Sequence, residues 1–188
     1  MNGLDETPAQ LGDSTLILID YQNTYTTGVM ELDGWENALE KAAELLERAR
    51  KAGSKVIHVI NDGGDGTPYD IRNEIGQIHP KVAPIEGEPV VVKKAPNAFL
   101  DTDLAEHVDA ARRESLIIAG FMTHMCVAYT AQGAFLRGNQ PTVVADASAT
   151  RSLPVAGTEL DACQVHYSAL ATISDLYGVV VATQEELT

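Results

Sequence analysis

The sequence predicts an α/β domain, a three-layer arrangement of one six-stranded, mainly parallel sheet with helices on both faces, and three observations carry that reading. Six short apolar runs are continuous rather than alternating, as strands covered on both faces require. Stretches with apolar residues at helical spacing separate most of them, and that alternation builds a parallel sheet. A chain of 188 residues suits one domain with a sizeable core, so residues 1–188 read as a single unit without repeats or an internal linker.

Thr15–Asp20 (TLILID) is the first strand, closed by an acid at its carboxyl end. After the loop Tyr21–Gly34, a helix runs from about Trp35 to Ala52, with Ala38, Ala42, Leu45, Leu46 and Ala49 on one face and Gly53 as its stop. Lys55–Ile60 (KVIHVI) is the second strand. Asn61–Glu88 is rich in glycine and proline and has little periodicity, which reads as a functional lid or a subunit contact. Pro89–Lys93 is the third strand, and Thr102–Arg113 follows as an amphipathic helix with Leu104, Val108 and Ala111 inward. Ser115–Ala119 is the fourth strand, broken by Gly120. After a short turn Cys126 opens a helix, with Val127, Thr130, Ala131, Ala134 and Phe135 at helical spacing. Gln140–Ala145 is the fifth strand. A helix of about Thr158–Tyr177 then packs Leu160, Cys163, Val165, Tyr167, Leu170, Ile173 and Leu176, which puts Cys163 in the core. Gly178–Ala182 is the sixth strand, and Thr183–Glu186 has the spacing of a capping box that would start a terminal helix.

Lys and Arg number 13 against 27 Asp and Glu, a formal charge of −14. Such a chain repels phosphate backbones and anionic lipid, so neither nucleic acid nor a membrane is expected as partner. Met1–Asp13 lacks the basic start and apolar centre of a leader, and no apolar run approaches membrane-spanning length. Cys126 and Cys163, at unlike positions, read as free thiols of a cytoplasmic protein. The histidines His58, His79, His107, His124 and His166 have no metal-ligand spacing, so neither a metal nor another cofactor is expected.

In open parallel sheets ligands bind beyond the carboxyl ends of the strands. Asp20 ends the first strand, Lys93 the third, and Cys126 follows the fourth, so the pattern brings all three to one edge. Taken singly each has an ordinary reading: Asp closes strands into turns, Lys is solvated, and free Cys packs as a small hydrophobe. Lys93 and Lys94 point to opposite faces, so at most one of them serves the edge. A phosphoryl-accepting aspartate would want a second Asp two residues on, where this chain has Gln22. Cys126 at a strand–turn–helix junction is the candidate nucleophile, arranged like the nucleophile elbow of serine hydrolases. The helix dipole and unpaired N–H groups there would favour thiolate, lower the thiol pKa and hold an oxyanion. A pairing of Cys126 with His124 is the alternative to a Cys–Asp pair.

These blocks resemble the isochorismatase-like family of cysteine hydrolases, from Leu16 to about Thr183. ILIDYQN (Ile17–Asn23) is similar to the family block whose aspartate is the general base. VVVKKAPNAFLDTDL (Val90–Leu104) is similar to the block in which the catalytic lysine stands four positions before a small polar residue, Ala and Phe; that spacing selects Lys93, with Asn97 where serine is commoner. IAGFMTHMCVAYTAQGAFLRG (Ile118–Gly138) is similar to the most specific block, with Thr123 three residues before the nucleophile, and VVADASATR (Val143–Arg151) to its sequel. The resemblance implies a Rossmann-like sheet, a triad of Asp20, Lys93 and Cys126, and an oxyanion hole from the N–H groups of Met122 and Cys126. It further implies a cis peptide between Phe121 and Met122, and a homo-oligomer, dimer or tetramer. Asn61–Pro68 lacks the histidine pattern of the metal-binding nicotinamidase branch, so neither zinc nor that activity is expected.

The chemistry expected is hydrolysis of a small-molecule C–N bond through a thioester on Cys126. Tyr21, Tyr25, Trp35, Tyr69 and Phe99, in loops or near strand ends, are candidates to line the substrate pocket, with Gln22 and Thr123 beside the catalytic blocks. Cations in the candidate loops are few, chiefly Arg72, Lys81, Lys94 and Arg151, which favours a neutral or singly charged amide or ureide over isochorismate with its two carboxylates. Enol-ether hydrolysis of the isochorismatase type, a catalytically silent binding module and a thiol redox protein are the competing readings.

Overall fold

A strand that must hide both faces can do so only between neighbours in a covered sheet, and the computed structural model of the protein, which describes residues 6–188, builds six strands into one sheet. Residues 1–5, which open the Met1–Asp13 stretch read for a leader, lie outside the described residues. The strands β1 (Thr15–Ile19), β2 (Lys55–Asn61), β3 (Val90–Lys93), β4 (Ser115–Gly120) and β5 (Gln140–Val144) precede a hairpin of β6 (Leu153–Val155) and β7 (Thr158–Leu160), and β8 (Val179–Val181) follows. The main sheet runs β3-β2-β1-β4-β5-β8 with every neighbouring pair parallel. The direction of winding reverses between β1 and β4, and at that switch point such a sheet opens a crevice beyond its strand ends.

Alternate residues of β1 serve opposite layers. Leu16 and Leu18 pack with Leu39, Leu45 and Leu46 of α1 (Trp35–Ala52). Ile17 and Ile19 belong to the core beneath α2 (Leu104–Ala111), α3 (Ala128–Leu136) and α4 (Ala162–Leu176). Successive side chains of a strand point to opposite faces, so a run apolar at every position needs a cover on each side. Each large aliphatic side chain buried this way contributes roughly 1.5–3 kcal/mol. Gly53, left-handed at φ 77, ends α1 with its N–H on the carbonyls of Ala49 and Arg50.

Three expectations are corrected. The last long helix starts at Ala162, not Thr158: the side chain of Asp161 accepts the Gln164 N–H, the Gln164 side chain returns the bond, and this capping box fixes the start. Residues 158–160 instead pair with 153–155 around Ala156 and Gly157, both at positive φ. The inward residues of α4 are Val165, Leu170 and Ile173, while Cys163, Tyr167 and Leu176 are exposed, so Cys163 is not core. The Thr183–Glu186 capping box forms, but it caps a single 3-10 turn rather than a helix.

The 61–88 segment carries only two 3-10 turns, Glu74–Gly76 and Pro80–Val82, and is tied to its own chain. The Gln22 amide donates to the Gly76 carbonyl at 2.7 Å, the Thr24 hydroxyl to Ile75 at 2.9 Å, and the His79 N–H to Tyr21 at 2.8 Å. Among the described residues no helix is long and apolar enough to cross a membrane.

Candidate active site

The chain leaves β1 through Asp20, held at φ 54, a left-handed conformation that Asp tolerates better than most residues. Its N–H donates to Val59 at 2.9 Å and its carbonyl accepts from Gln22 at 2.7 Å, a turn that directs the carboxylate inward. Lys93 closes β3, two strands away, and pairs in register with Asn61, the last residue of β2. Its long side chain therefore has to reach over the end of β2 to meet Asp20. The Lys93 Nζ lies 2.7 Å from Asp20 Oδ2, 3.3 Å from Cys126 Sγ and 3.4 Å from Asn61 Oδ1. An ammonium has three N–H donors, and three acceptors surround this one.

Asp20, Lys93 and Cys126 are all buried, and burial is the largest single influence on the pKa of each. It raises the Asp20 pKa against the opposing pull of Lys93. For Lys93 burial acts downward, but the charges of Asp20 and Cys126 beside it leave the pKa raised. Burial, reinforced by the Asp20 charge, pushes the Cys126 thiol up to about 12, although Lys93 opposes it. The expected low thiol pKa is thus reversed, because low dielectric and a neighbouring carboxylate outweigh a helix terminus. At rest Cys126 is a thiol beside the Asp20–Lys93 ion pair. Moving its proton to Asp20 transfers negative charge from oxygen to sulfur under the same ammonium.

The turn before α3 is built from backbone. A Cβ on Gly120 would stand 2.2 Å from the Ile19 carbonyl oxygen, so only glycine lets β4 leave the sheet there. A non-proline cis peptide joins Phe121 and Met122, and a π turn spans Thr123–Val127. The Met122 carbonyl accepts from Met125 at 3.0 Å and Val127 at 3.2 Å, passing over Cys126 between them. The Met122 N–H meets no acceptor among the described residues. Thr123 is fixed by its N–H to Ala149 at 3.0 Å and by its hydroxyl to His166 Nδ1 at 2.8 Å. His124 turns to the Thr150 hydroxyl at 2.5 Å while Cys126 faces Lys93, so the Cys–His alternative falls.

The candidate pocket residues separate into two groups. Tyr25 packs edge-on against Phe121 and Tyr69, and the charges of Asp20 and Cys126 act on both tyrosines. Tyr69 thus comes to the centre from the 61–88 segment. Tyr21 is buried, with its hydroxyl on the Ala147 carbonyl and its ring on Phe121. Gln22 is wholly buried, bonded to Gly76 and to both backbone groups of Asn61, so it braces rather than lines a pocket. Trp35 stands beside His79 at the start of α1, and Phe99 lies under the Arg137 guanidinium at the far end of α3 from Cys126. Thr123 bonds His166 as described. Asn61 is the residue the sequence reading missed; its signal, register with Lys93, exists only once β2 and β3 are paired.

A family model described as Isochorismatase domain matches residues 14–185. Among solved structures, an isochorismatase from Pseudomonas putida has a TM-score of 0.94 and 38% identity, covering 98% of this chain and 94% of that one. A secreted isochorismatase effector of Verticillium dahliae is 32% identical over 98% of this chain and 96% of its own. Streptothricin hydrolase of Streptomyces noursei is 34% identical over 75% of this chain, which spans about half (51%) of that relative. Maleamate amidohydrolase of Pseudomonas putida, at 29% over 92% of this chain and 84% of its own, and N-carbamoylsarcosine amidase of an Arthrobacter, at 26% over 68% and 56%, are similar as well.

Proposed function

The chain belongs to the isochorismatase family, and from that membership we propose that it is a cysteine-dependent hydrolase, an amidase that cleaves the C–N bond of a small amide or ureide through a thioester. The observation that carries the reading is the single buried ammonium of Lys93 against both Asp20 and Cys126. The maleamate amidohydrolase and the N-carbamoylsarcosine amidase among its relatives support the bond class.

In this mechanism Asp20 takes the Cys126 proton as the sulfur attacks the substrate carbonyl, and Lys93 compensates the charge on either atom. The N–H groups of Met122 and Cys126 hold the oxyanion. Asp20 returns its proton to the nitrogen as the C–N bond breaks, and ammonia or an amine leaves. Asp20, again a carboxylate, then deprotonates the water that hydrolyses the thioester, releasing the acid and restoring the thiol.

Tyr25 and Tyr69 supply an aromatic wall beside the sulfur in this reading. Lys93 is neutralised by Asp20, and Arg151 is a further cation, whose charge is felt at Tyr69 and His124 and which has no ion-pair partner among the described residues. A single cation acting on Tyr69 supports a substrate with at most one negative charge rather than two. The reading includes a homo-oligomer, supported by exposed Tyr129, Leu136, Tyr167 and Leu176 on α3 and α4, and a cytoplasmic setting, supported by two free thiols.

The test is ammonia release from a panel of small amides and ureides that includes maleamate and N-carbamoylsarcosine, with mass detection of a thioester on Cys126. Cys126→Ala is expected to abolish both signals while keeping the fold. Turnover retained in that variant would remove the proposal.

A further inference from the structure

Asn61 has a feature that the triad chemistry does not use. Its backbone is clamped by the buried Gln22 amide, which accepts the Asn61 N–H at 2.9 Å and donates to the Asn61 carbonyl at 3.0 Å. Its side chain meets the Lys93 ammonium at 3.4 Å. An ammonium only donates, so the amide must turn its oxygen toward Lys93 and its NH2 away. Nδ2 donates to no described acceptor and stays accessible, since Asn61 is only half-buried. A rigid backbone and an electrostatically fixed amide thus present two N–H donors beside the cation that touches the Cys126 sulfur.

We infer that Asn61 is a substrate-positioning residue of this site, its Nδ2 donating to a carbonyl or carboxylate oxygen of the molecule attacked by Cys126. The inference rests on the cysteine-hydrolase reading and deepens it: the preferred substrates are those with an oxygen acceptor turned toward β2. A preorganised donor recognises such an oxygen at little conformational cost, and an oxygen-free analogue gains nothing from it.

Two alkylating probes with the same leaving group separate recognition from thiol reactivity, iodoacetamide with its carbonyl oxygen and iodoacetonitrile without one. Rate constants at Cys126 are measured by peptide mass spectrometry on wild type, Asn61→Leu, Asn61→Asp and Asp20→Asn. Asn61→Asp keeps an acceptor for Lys93 and removes the NH2 donors, so it serves even where Asn61→Leu folds poorly. A change in thiolate fraction moves both probes together, whereas loss of the donor slows iodoacetamide alone. The expected result is a fall of about tenfold in the iodoacetamide-to-iodoacetonitrile ratio in both Asn61 variants. An unchanged ratio, with rates that still respond to Asp20→Asn, would overturn the role of Asn61 and leave the hydrolase reading standing. Rates indifferent to Asp20→Asn would overturn both.

Discussion

Lys93 reaches over the end of β2 to set its ammonium 2.7 Å from the Asp20 carboxylate, with both side chains closed off from solvent. Removing one partner of such a pair strands the other charge, at a cost of about 3–5 kcal/mol. Lys93→Met is therefore expected to lose about that much stability in urea denaturation. Adding Asp20→Asn removes the stranded carboxylate and should recover most of it, with both variants expected to be inactive. Equal midpoints for the single and double variants would show that the pair does not govern stability.

The raised pKa values predict opposite responses of labelling and turnover to Asp20. Because burial and the Asp20 charge push Cys126 to about 12, alkylation of the unliganded thiol should keep rising well past pH 8.5, where an ordinary cysteine levels off. Asp20→Asn removes the opposing charge while Lys93 remains, so labelling at pH 8 should accelerate as turnover disappears. In wild type the acid limb of turnover should lie above the usual carboxylate range, since Asp20 itself is raised by burial. Slower labelling in Asp20→Asn would contradict the assignment of charges.

The meeting of Asp20 and Lys93 at one sheet edge was legible because it is written in strand ends: TLILID and PVVVK each carry their polar residue at the carboxyl terminus, and strands buried on both faces permit few topologies. What escaped depends on partners distant in sequence. Periodicity cannot separate 158–160 from the helix that follows, because the same apolar spacing continues across Asp161, and only the hairpin around Ala156–Gly157 claims those residues as β7. Gln22 looked like a pocket residue because it sits two positions from Asp20, yet its amide is turned to Asn61 and Gly76 across the fold. The thiol pKa departs from the sequence expectation for a similar reason: a helix terminus is local and visible, whereas burial and a carboxylate brought from β1 are not.

Gly133 and Asn97 make a steric pair that can be tested apart from catalysis. A Cβ at Gly133 would lie 2.6 Å from Asn97 Oδ1, which accepts the Phe99 N–H at 3.0 Å. Ala98 is tied to α3 as well, its N–H donating to the Thr130 hydroxyl at 3.0 Å, so this contact seats the loop that leaves Lys93. Glycine inside a helix ordinarily costs roughly 0.5–1 kcal/mol against alanine. Here Gly133→Ala should instead destabilise by about 1–3 kcal/mol, the range for overpacking. In an Asn97→Ser background, where the shorter side chain withdraws, the same change should become neutral or stabilising in thermal unfolding.

Glu88 closes the 61–88 segment onto the body of the protein. Its carboxylate accepts from Arg50 Nε at 2.8 Å and Nη2 at 2.7 Å and from the Ile85 N–H at 3.0 Å, and it faces the buried His58 Nε2 at 2.9 Å. Burial acts to raise its pKa, but the bonds from Arg50 and His58 outweigh it and hold the group at about 2. A carboxylate lowered on folding stabilises above its unfolded pKa of about 4.3, and that stability drains as pH falls from there through about 2. His58, lowered by burial, adds a second loss in the same direction, beginning near pH 6.5, where the unfolded imidazole takes up its proton first. Glu88→Gln keeps the shape and removes the charge, so it should be less stable than wild type at pH 7 by about 1.5–3 kcal/mol, the range for hydrogen bonds to a charged group. Urea midpoints at pH 7 and pH 3.5 check the sign. The gap must narrow on acidification, because wild type loses the charge contribution that the variant never had; a gap of equal size at both pH values would mean that Glu88 acts through shape alone.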